Sequence, residues 1–247
     1  MLGASSLKAD GILKQGFVQE LLTDQLSQPT SIATAPDGRV FVTEKAGRVR
    51  IIENGILLAA PLLEIPVDQA GERGLGCITL DPNFEVNGHF YIYFTVWGQN
   101  HNRISRFTAN GNLAIPTSEV VLLDLPPLAG AIHNGGALRF GPDGKLYLST
   151  GDGLASVNSQ NTESLLGKML RINPDGTIPT DNPFYNSFTG DYRAIYALGL
   201  RNPFTFDIHP TTGQILLNDV GLSTWEEVNE ILPGKNYGWP IVEGLIG

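Results

Sequence analysis

The sequence predicts an all-β fold, a β-propeller built from four-stranded blades. One pattern recurs four times: a short apolar strand, a turn of Pro, Asp, Gly or Asn residues, and a second strand rich in aromatic or β-branched residues. A further strand and turn follow each hairpin, which gives units of roughly 40–50 residues, the repeat length of propeller blades. The 29 glycines and 16 prolines fall between apolar runs, so they punctuate strands and do not indicate disorder.

The first hairpin pairs residues 31–35 with 39–43 across Pro36-Asp37-Gly38. The other three pair residues 76–80 with 89–95, 137–140 with 145–150, and 204–208 with 214–218. Return strands follow at residues 49–52, 104–107, 169–172 and 228–231. We expect a lead over residues 1–16 and one propeller domain over 17–247, with about four to five blades.

Two alternatives stay open at this stage. A β-sandwich or barrel with meander topology would show the same alternation of strands and turns. Residues 164–170 and 225–232 are too short for periodicity to separate a helical turn from a strand. The aspartates of the three Asp-Gly turns are expected to be structural, because such side chains hydrogen-bond their own backbone; these are Asp37, Asp143 and Asp175.

Composition limits the classes of partner. The chain has 247 residues and a formal net charge of −9, and a field of that sign repels phosphate backbones, which argues against nucleic acid. Metal cations and neutral polyols are more compatible ligands for a chain with this negative charge. The single cysteine, Cys77, excludes an intrachain disulfide and is expected to be buried and inert. No run is long enough to span a membrane, and no secretory signal is visible.

The most informative segment is residues 133–153, where His133 lies in a glycine-rich loop and Asp152 lies in a second one. The two β-type runs between them surround a Pro-Asp-Gly turn. A hairpin of this kind brings both loops to the same rim of a sheet, so we expect the two side chains to be neighbours. A carboxylate beside an imidazole fixes its tautomer and raises its basicity, as a general base requires.

Seven motifs follow one another from residue 28 to the end of the chain. They are residues 28–33 with 36–42, 71–76 with 81–84, 133–152, 166–172, 199–203, 219–221 with 226–229, and 236–240. Together they resemble the soluble glucose/sorbosone dehydrogenase family, the quinoprotein aldose sugar dehydrogenases that use pyrroloquinoline quinone (PQQ) and calcium. The resemblance implies a six-bladed propeller fold and a periplasmic or extracellular protein.

The resemblance also implies roles for residues around the quinone. His133 matches the base that removes the anomeric hydroxyl proton while hydride passes from the sugar carbon to a quinone carbonyl carbon. Asp152 matches the carboxylate that supports this histidine. Arg201 and Asn202 match the pair that contacts the quinone, and an arginine there polarises the carbonyl. Glu72 stands at a further position near the cofactor.

The calcium site implied by the resemblance lies later in the chain. Gly221 and Leu222 match positions whose backbone carbonyls hold the ion, and Glu226 stands where an aspartate is usual. Calcium prefers such oxygen ligands and would polarise the quinone as a Lewis acid. The best-known members have a glutamine where this chain has Val220, and another where it has Glu72.

Family members continue for one to two blades beyond residues 237–240, and those blades supply basic residues and aromatics around the quinone and sugar. We therefore expect a shortened, open ring whose unpaired strand edges favour self-association, for example as a homodimer. An aldose and an electron acceptor are the implied partners.

Other interpretations stay open beside the dehydrogenase. One is a non-catalytic binding module of a larger extracellular protein. Another is a calcium-dependent lactonase-like hydrolase, for which the candidate residues are Glu72, Asn134, Asn202 and Asp219. Glu72 and Arg73 could also form a solvated ion pair. The three tryptophans are expected to pack within blades; they are Trp97, Trp225 and Trp239.

Overall fold

The structure is a computed structural model and describes residues 14–244. Residues 1–13, most of the predicted lead, and residues 245–247 lie outside the described part. Seventeen strands in this part form four separate antiparallel sheets, so the predicted all-β propeller arrangement is confirmed. None of the helices among residues 14–244 is long and apolar enough to cross a membrane.

The first two sheets each have five strands. Sheet 1 has the order β1-β2-β3-β4, with β5 also paired to β3. Its strands are β1 Pro29–Thr34, β2 Val40–Glu44, β3 Arg48–Glu53, β4 Ile56–Leu57 and β5 Leu63–Glu64. Sheet 2 has the order β6-β7-β8-β10, with β9 paired to β8. Its strands are β6 Leu75–Leu80, β7 His89–Thr95, β8 Asn102–Asn110, β9 Leu113–Ala114 and β10 Val120–Asp124.

The third sheet has four strands and the fourth has three among the described residues. Sheet 3 runs β11 Gly135–Phe140, β12 Leu146–Thr150, β13 Lys168–Ile172 and β14 Ile195–Leu198. Sheet 4 runs β15 Pro203–Ile208, β16 Ile215–Asp219 and β17 Glu227–Ile231. Short helices, α1 Phe84–Asn87 and α2 Val157–Gln160, and a 3₁₀ turn at Gly190–Ala194 lie in the connections.

The two segments left open as possible helical turns do not form helices. Strand β13 begins within residues 164–170, and strand β17 occupies most of residues 225–232. Strands β13 and β17 each pair with a neighbouring strand over five residues. Ladder hydrogen bonds over that length decide in favour of strand where the local periodicity could not.

Alternation along each strand directs side chains to two neighbouring sheets. On β7, Phe90 and Ile92 enter the core shared with sheet 1, whereas Tyr91 and Tyr93 enter the core shared with sheet 3. On β12, Leu148 faces sheet 2 and Tyr147 faces sheet 4. Because side chains alternate with period two, a strand with apolar residues at successive positions buries both faces. Three cores therefore separate four blades.

The first strands of the four sheets, β1, β6, β11 and β15, are neighbours in that order and line the centre of the array. The turn aspartates are structural, as predicted. Asp37, Asp143 and Asp175 each accept the backbone N–H two residues later, at 3.0–3.1 Å. The turns at Asp37 and Asp143 close the β1–β2 and β11–β12 hairpins, and the candidate site lies at the opposite end of the β11–β12 pair.

Candidate active site

The hairpin of β11 and β12 brings His133 and Asp152 together. Gly135 pairs with Thr150 across the two strands, so the residues just outside the strand ends meet at one rim. His133 Nδ1 lies 2.8 Å from Asp152 Oδ1. The predicted contact between the two loops is therefore present in the structure.

Burial and hydrogen bonding fix the orientation of the His133 imidazole ring. The side chains of His133 and Asp152 are 10% and 2% exposed. Because a carboxylate only accepts hydrogen bonds, we infer that Nδ1 carries a proton that it donates to Asp152, which directs Nε2 away from the carboxylate. Asp152 Oδ1 also accepts the Leu154 N–H at 2.9 Å, which keeps the carboxylate in place at the start of its loop.

His133 has a backbone φ of 59°, a left-handed conformation that is costly for a residue with a side chain. Glu72 holds it there: the His133 N–H donates to Glu72 Oε2 at 2.7 Å, and the Glu72 N–H donates to Ala131 O at 2.8 Å. Gly151 lies against the same turn, and a Cβ on it would be 2.0 Å from His133 O. Only glycine permits this approach.

Glu72 and Arg73 do not pair with each other. Arg73 binds Asp68 at 2.7 Å and also donates to Gly130 O at 2.9 Å. Both residues of this motif therefore fasten the loop that carries His133. The ion pair considered from the sequence is wrong, because Glu72 accepts the His133 N–H and Arg73 pairs with Asp68.

The second charged group of the site comes from the connection between sheets 3 and 4. The Asp152 N–H donates to Arg201 O at 2.8 Å, which places the two residues side by side. Arg201 donates from Nη1 to Val220 O at 2.8 Å. Its buried Nε has no hydrogen-bond partner among the described residues.

Asp219, at the end of β16, fixes the backbone of this connection between sheets 3 and 4. Its carboxylate accepts the backbone N–H groups of Arg201 at 2.9 Å and Asn202 at 2.7 Å. Burial raises the pKa of Asp219 to about 6, and the two backbone N–H donors oppose that shift. Asn202 is buried, and its Oδ1 accepts the Gly135 N–H at 3.0 Å. In the structure it therefore links sheet 4 to the loop of His133.

Trp239 joins the two charged groups, which the sequence did not predict. Its indole Nε1 donates to Asp152 Oδ2 at 3.0 Å, and the Arg201 Cζ lies 5.3 Å from its ring centroid. The expectation that this tryptophan packs within a blade is wrong, because its ring reaches the rim between sheets. Its place in the motif over residues 236–240 was the signal that could have marked it.

The predicted calcium residues form an exposed loop beside the same cleft. The Gly221 N–H donates to Glu226 Oε2 at 3.3 Å, and the Leu222 N–H donates to Glu243 Oε1. The structure thus brings Gly221 and Glu226 together and adds Glu243, which the sequence analysis missed. Among residues 14–244, no group of three or more His, Cys, Asp or Glu side chains is arranged to hold a metal ion.

The His133–Asp152 pair and Arg201 border an open cleft of about 640 Å³, whereas Gly221 and Glu226 lie outside its lining. Its walls combine the charged groups with apolar side chains: His133, Asp152, Leu154, Ser156, Arg201, Leu222, Trp239, Pro240, Ile241 and Glu243. An imidazole, a guanidinium and a partly apolar wall thus border one space. This combination suits a ligand that carries both an acidic hydroxyl and an acceptor oxygen.

Fold and site together define a β-propeller with a charged, partly apolar cleft at one rim, and comparison with known proteins identifies its family. The Glucose / Sorbosone dehydrogenase family model matches residues 26–245. The chain belongs to this family.

Curated relatives include an enzyme and a binding protein. The chain is 31% identical over 229 residues to the aldose sugar dehydrogenase YliI of Escherichia coli K12, covering 90% of this chain and 61% of that protein. It is 30% identical over 260 residues to the hedgehog-interacting protein of Homo sapiens, covering 89% of this chain and 37% of that protein. The chain therefore spans less than two thirds of these relatives.

Solved structures show the same fold. A glucose dehydrogenase-type oxidoreductase of Thermus thermophilus superposes with a TM-score of 0.85 at 36% identity, covering 92% of this chain and 68% of that one. The PQQ-bound aldose sugar dehydrogenase of Streptomyces coelicolor superposes with a TM-score of 0.80 at 32% identity, covering 92% and 67%.

Proposed function

We propose that this protein is a quinoprotein oxidoreductase that oxidises the anomeric CH–OH group of aldose sugars with PQQ as hydride acceptor. The observation that carries the proposal is the buried His133–Asp152 pair, which shares one cleft with Arg201. The sequence similarity to an aldose sugar dehydrogenase and the structural similarity to a PQQ-bound one support it.

His133 acts as the general base in this proposal. With its Nδ1 proton held by Asp152, its Nε2 accepts the proton of the anomeric hydroxyl. Asp152 then stabilises the imidazolium that forms and keeps the ring oriented. Glu72 contributes by fixing the backbone of His133 through its N–H, so its role in the structure is to position the base.

The residues of the cleft fit a quinone. When bound, PQQ would accept the hydride from the sugar carbon. Arg201 has a buried, unpartnered Nε at the cleft wall among the described residues, which suits a carbonyl or carboxylate oxygen of such a ligand. Val220, where a glutamine is usual in the family, contributes its backbone carbonyl to Arg201. Asn202 lies in the same connection between sheets 3 and 4 and joins it to the His133 loop, because its Oδ1 accepts the Gly135 N–H.

Calcium is proposed at the exposed loop of Gly221 and Leu222, whose carbonyls are hard oxygen donors. Glu226 accepts the Gly221 N–H with Oε2, and in this proposal its other carboxylate oxygen, Oε1, serves the ion. The ion would supply Lewis-acid polarisation of the quinone.

Further parts of the proposal concern the protein as a whole. A separate electron acceptor would reoxidise the cofactor, and a periplasmic or extracellular location and a homodimer remain predictions. A single propeller domain over residues 17–247 is likewise proposed.

The hydrolase interpretation is disfavoured by hydrogen bonding. Asn202 Oδ1 and both oxygens of Asp219 accept backbone N–H groups, and Asn134 Oδ1 accepts from Asn102 at 3.1 Å. Groups engaged in this way are not directed together at a metal. A non-catalytic binding module is favoured only by the similarity to hedgehog-interacting protein.

A titration of the purified chain with PQQ and calcium, followed by an aldose, tests the proposal. We expect saturable binding and a sugar-dependent change in quinone absorbance. The variant Arg201→Met should weaken binding, whereas Arg48→Met, at a surface ion pair far along sheet 1, serves as the control. A folded protein that binds no PQQ would contradict the proposal and favour the binding module.

A further inference from the structure

Arg201 and Asp152 carry opposite charges, lie side by side and yet form no salt bridge. Their backbones are joined by the Asp152 N–H to Arg201 O hydrogen bond of 2.8 Å. Both side chains border the same cleft. No Arg201–Asp152 ion pair occurs within 4 Å, although eight other acidic residues pair with an arginine in the described part. The hydrogen bond from Arg201 Nη1 to Val220 O keeps one end of the guanidinium occupied, and a second group has to keep the rest of it from the carboxylate.

Trp239 is placed to do so. Its indole N–H satisfies Asp152 Oδ2 at 3.0 Å, and its ring lies against the guanidinium of Arg201 at 5.3 Å. A neutral donor thus takes the acceptor that Arg201 would otherwise occupy. The ring offers the cation an aromatic surface instead.

The main chain of Trp239 is anchored on both sides. Its N–H donates to Gly199 O at 3.0 Å, and its carbonyl accepts from Gln160 Nε2 at 2.7 Å. Gly199 precedes Arg201 by two residues, so the tryptophan is fastened to the same connection that carries the arginine. The ring therefore keeps a fixed relation to both charges.

We propose that Trp239 is a positioning residue that separates Asp152 from Arg201, so that Asp152 serves His133 alone and Arg201 keeps its Nε donor for the ligand. The inference rests on the proposed function for what Arg201 binds. The separation itself is a property of the protein without ligand. If the indole were absent, the guanidinium would be free to pair with the carboxylate.

The test uses two substitutions with different consequences. Trp239→Met removes both the indole donor and the flat ring, whereas Trp239→Phe keeps a ring and removes only the donor. The first readout is the Nε–H resonance of Arg201 in nitrogen-15 NMR spectra of the protein without PQQ. The second is PQQ affinity, measured by titration.

We expect Trp239→Met to shift the Arg201 Nε–H resonance to that of a carboxylate-paired guanidinium and to weaken PQQ binding about ten-fold, or ~1.4 kcal/mol. Trp239→Phe keeps the ring against the guanidinium but frees Asp152 Oδ2, so both readouts should change in the same direction by a smaller amount. In the double variant Trp239→Met with Asp152→Asn, the competing charge is gone, so the resonance and the PQQ affinity should return. A tryptophan that only supports the fold would not be rescued in this way.

Two results would overturn the inference: an unchanged Arg201 resonance in Trp239→Met, or a shifted resonance that Asp152→Asn does not restore. If the wild type binds no PQQ, the proposed function fails. The Arg201 resonance still decides whether Trp239 separates the charges, so the two failures are distinguishable.

Discussion

The two sides of the cleft are built differently. On the side of sheet 3, His133 and Asp152 are buried, and each has hydrogen bonds from more than one element. On the side of sheet 4, the loop of Gly221 and Leu222 is open to solvent, and Leu222 is 62% exposed. Glu226 is exposed as well.

The difference corresponds to two tasks, the orientation of a general base and the binding of an ion. A general base has to be oriented before the substrate arrives, and burial with fixed partners accomplishes this. A loop that supplies carbonyls to an ion gains its order from the ion. The base side should therefore be sensitive to single substitutions, and the loop side should be tolerant of them.

The largest effect is expected for Asp152→Asn. The amide can donate to Nδ1 and so favour the wrong tautomer of His133. We expect kcat for sugar oxidation to fall about 10²–10⁴-fold while PQQ affinity changes little. Steady-state dye reduction and PQQ titration measure the two quantities. Asp207→Asn, at an exposed carboxylate of sheet 4, is the control, and an equal loss in both variants would contradict the account.

Gly151→Ala tests the fit of the histidine turn. The added methyl group would lie 2.0 Å from His133 O, so the turn has to move. We expect a loss of about 1–3 kcal/mol in unfolding free energy and roughly 10²-fold in activity. Gly76→Ala, whose Cβ would lie 3.6 Å from its nearest neighbour, should have a small effect in the same urea unfolding and activity assays. Similar losses in both would refute a specific role for the turn.

Lys168 anchors the loop of the base side from within sheet 3. Its buried Nζ donates to Asn158 O, Ser159 O and Leu166 O at 2.6–3.1 Å. Burial lowers its pKa from 10.5 to about 7. Between these two values the unfolded chain binds more protons than the native protein, so unfolding free energy rises with pH through this window.

Urea unfolding at pH 7, 8 and 9 should reveal this dependence. The slope contributed by Lys168 approaches about 1.4 kcal/mol per pH unit, and Lys168→Met should lack it. The control is Lys145→Met, at a lysine that binds Asn173 Oδ1 near a turn, which should keep the slope. Parallel curves for the wild type and Lys168→Met would contradict the prediction.

The smallest effect is expected on the loop side, for Glu226→Gln. Glutamine keeps an acceptor for the Gly221 N–H, and the position is exposed. We expect unfolding free energy to change by less than about 0.5 kcal/mol and calcium affinity by less than about ten-fold. Complete loss of calcium binding, measured by calorimetry, would show that this side chain is the principal ligand and that the loop is less tolerant than the comparison holds.

Much of the fold could be predicted because alternation and turn residues act locally. Strand β7, for example, has the predicted bounds, His89–Thr95. The two-residue strands β4, β5 and β9 and the four-residue β14 were missed, since a periodic pattern cannot be recognised over so few residues. The five-residue strand β10 was missed as well. They form because a neighbouring strand offers hydrogen bonds.

The contacts of the site also differ in whether they could be predicted: those within one hairpin could, and those between sheets could not. The contact of His133 with Asp152 follows from one hairpin, so the sequence predicts it. The contact of Trp239 with Asp152 joins residues 87 positions apart, and only the packing of sheets creates it. A cofactor contact of Glu72 stays a prediction, and the structure adds a contact that the sequence did not show, with the His133 N–H, because a loop between two blades decides where this side chain lies.

Rapid-mixing kinetics would test the central claim most directly. PQQ-loaded wild type and His133→Ala would each be mixed with an aldose, and quinone absorbance followed during the first turnover. The account predicts reduction in the wild type, and reduction about 10²–10⁴-fold slower in His133→Ala with PQQ affinity within a few-fold of the wild type. An unchanged rate of reduction in His133→Ala would contradict it.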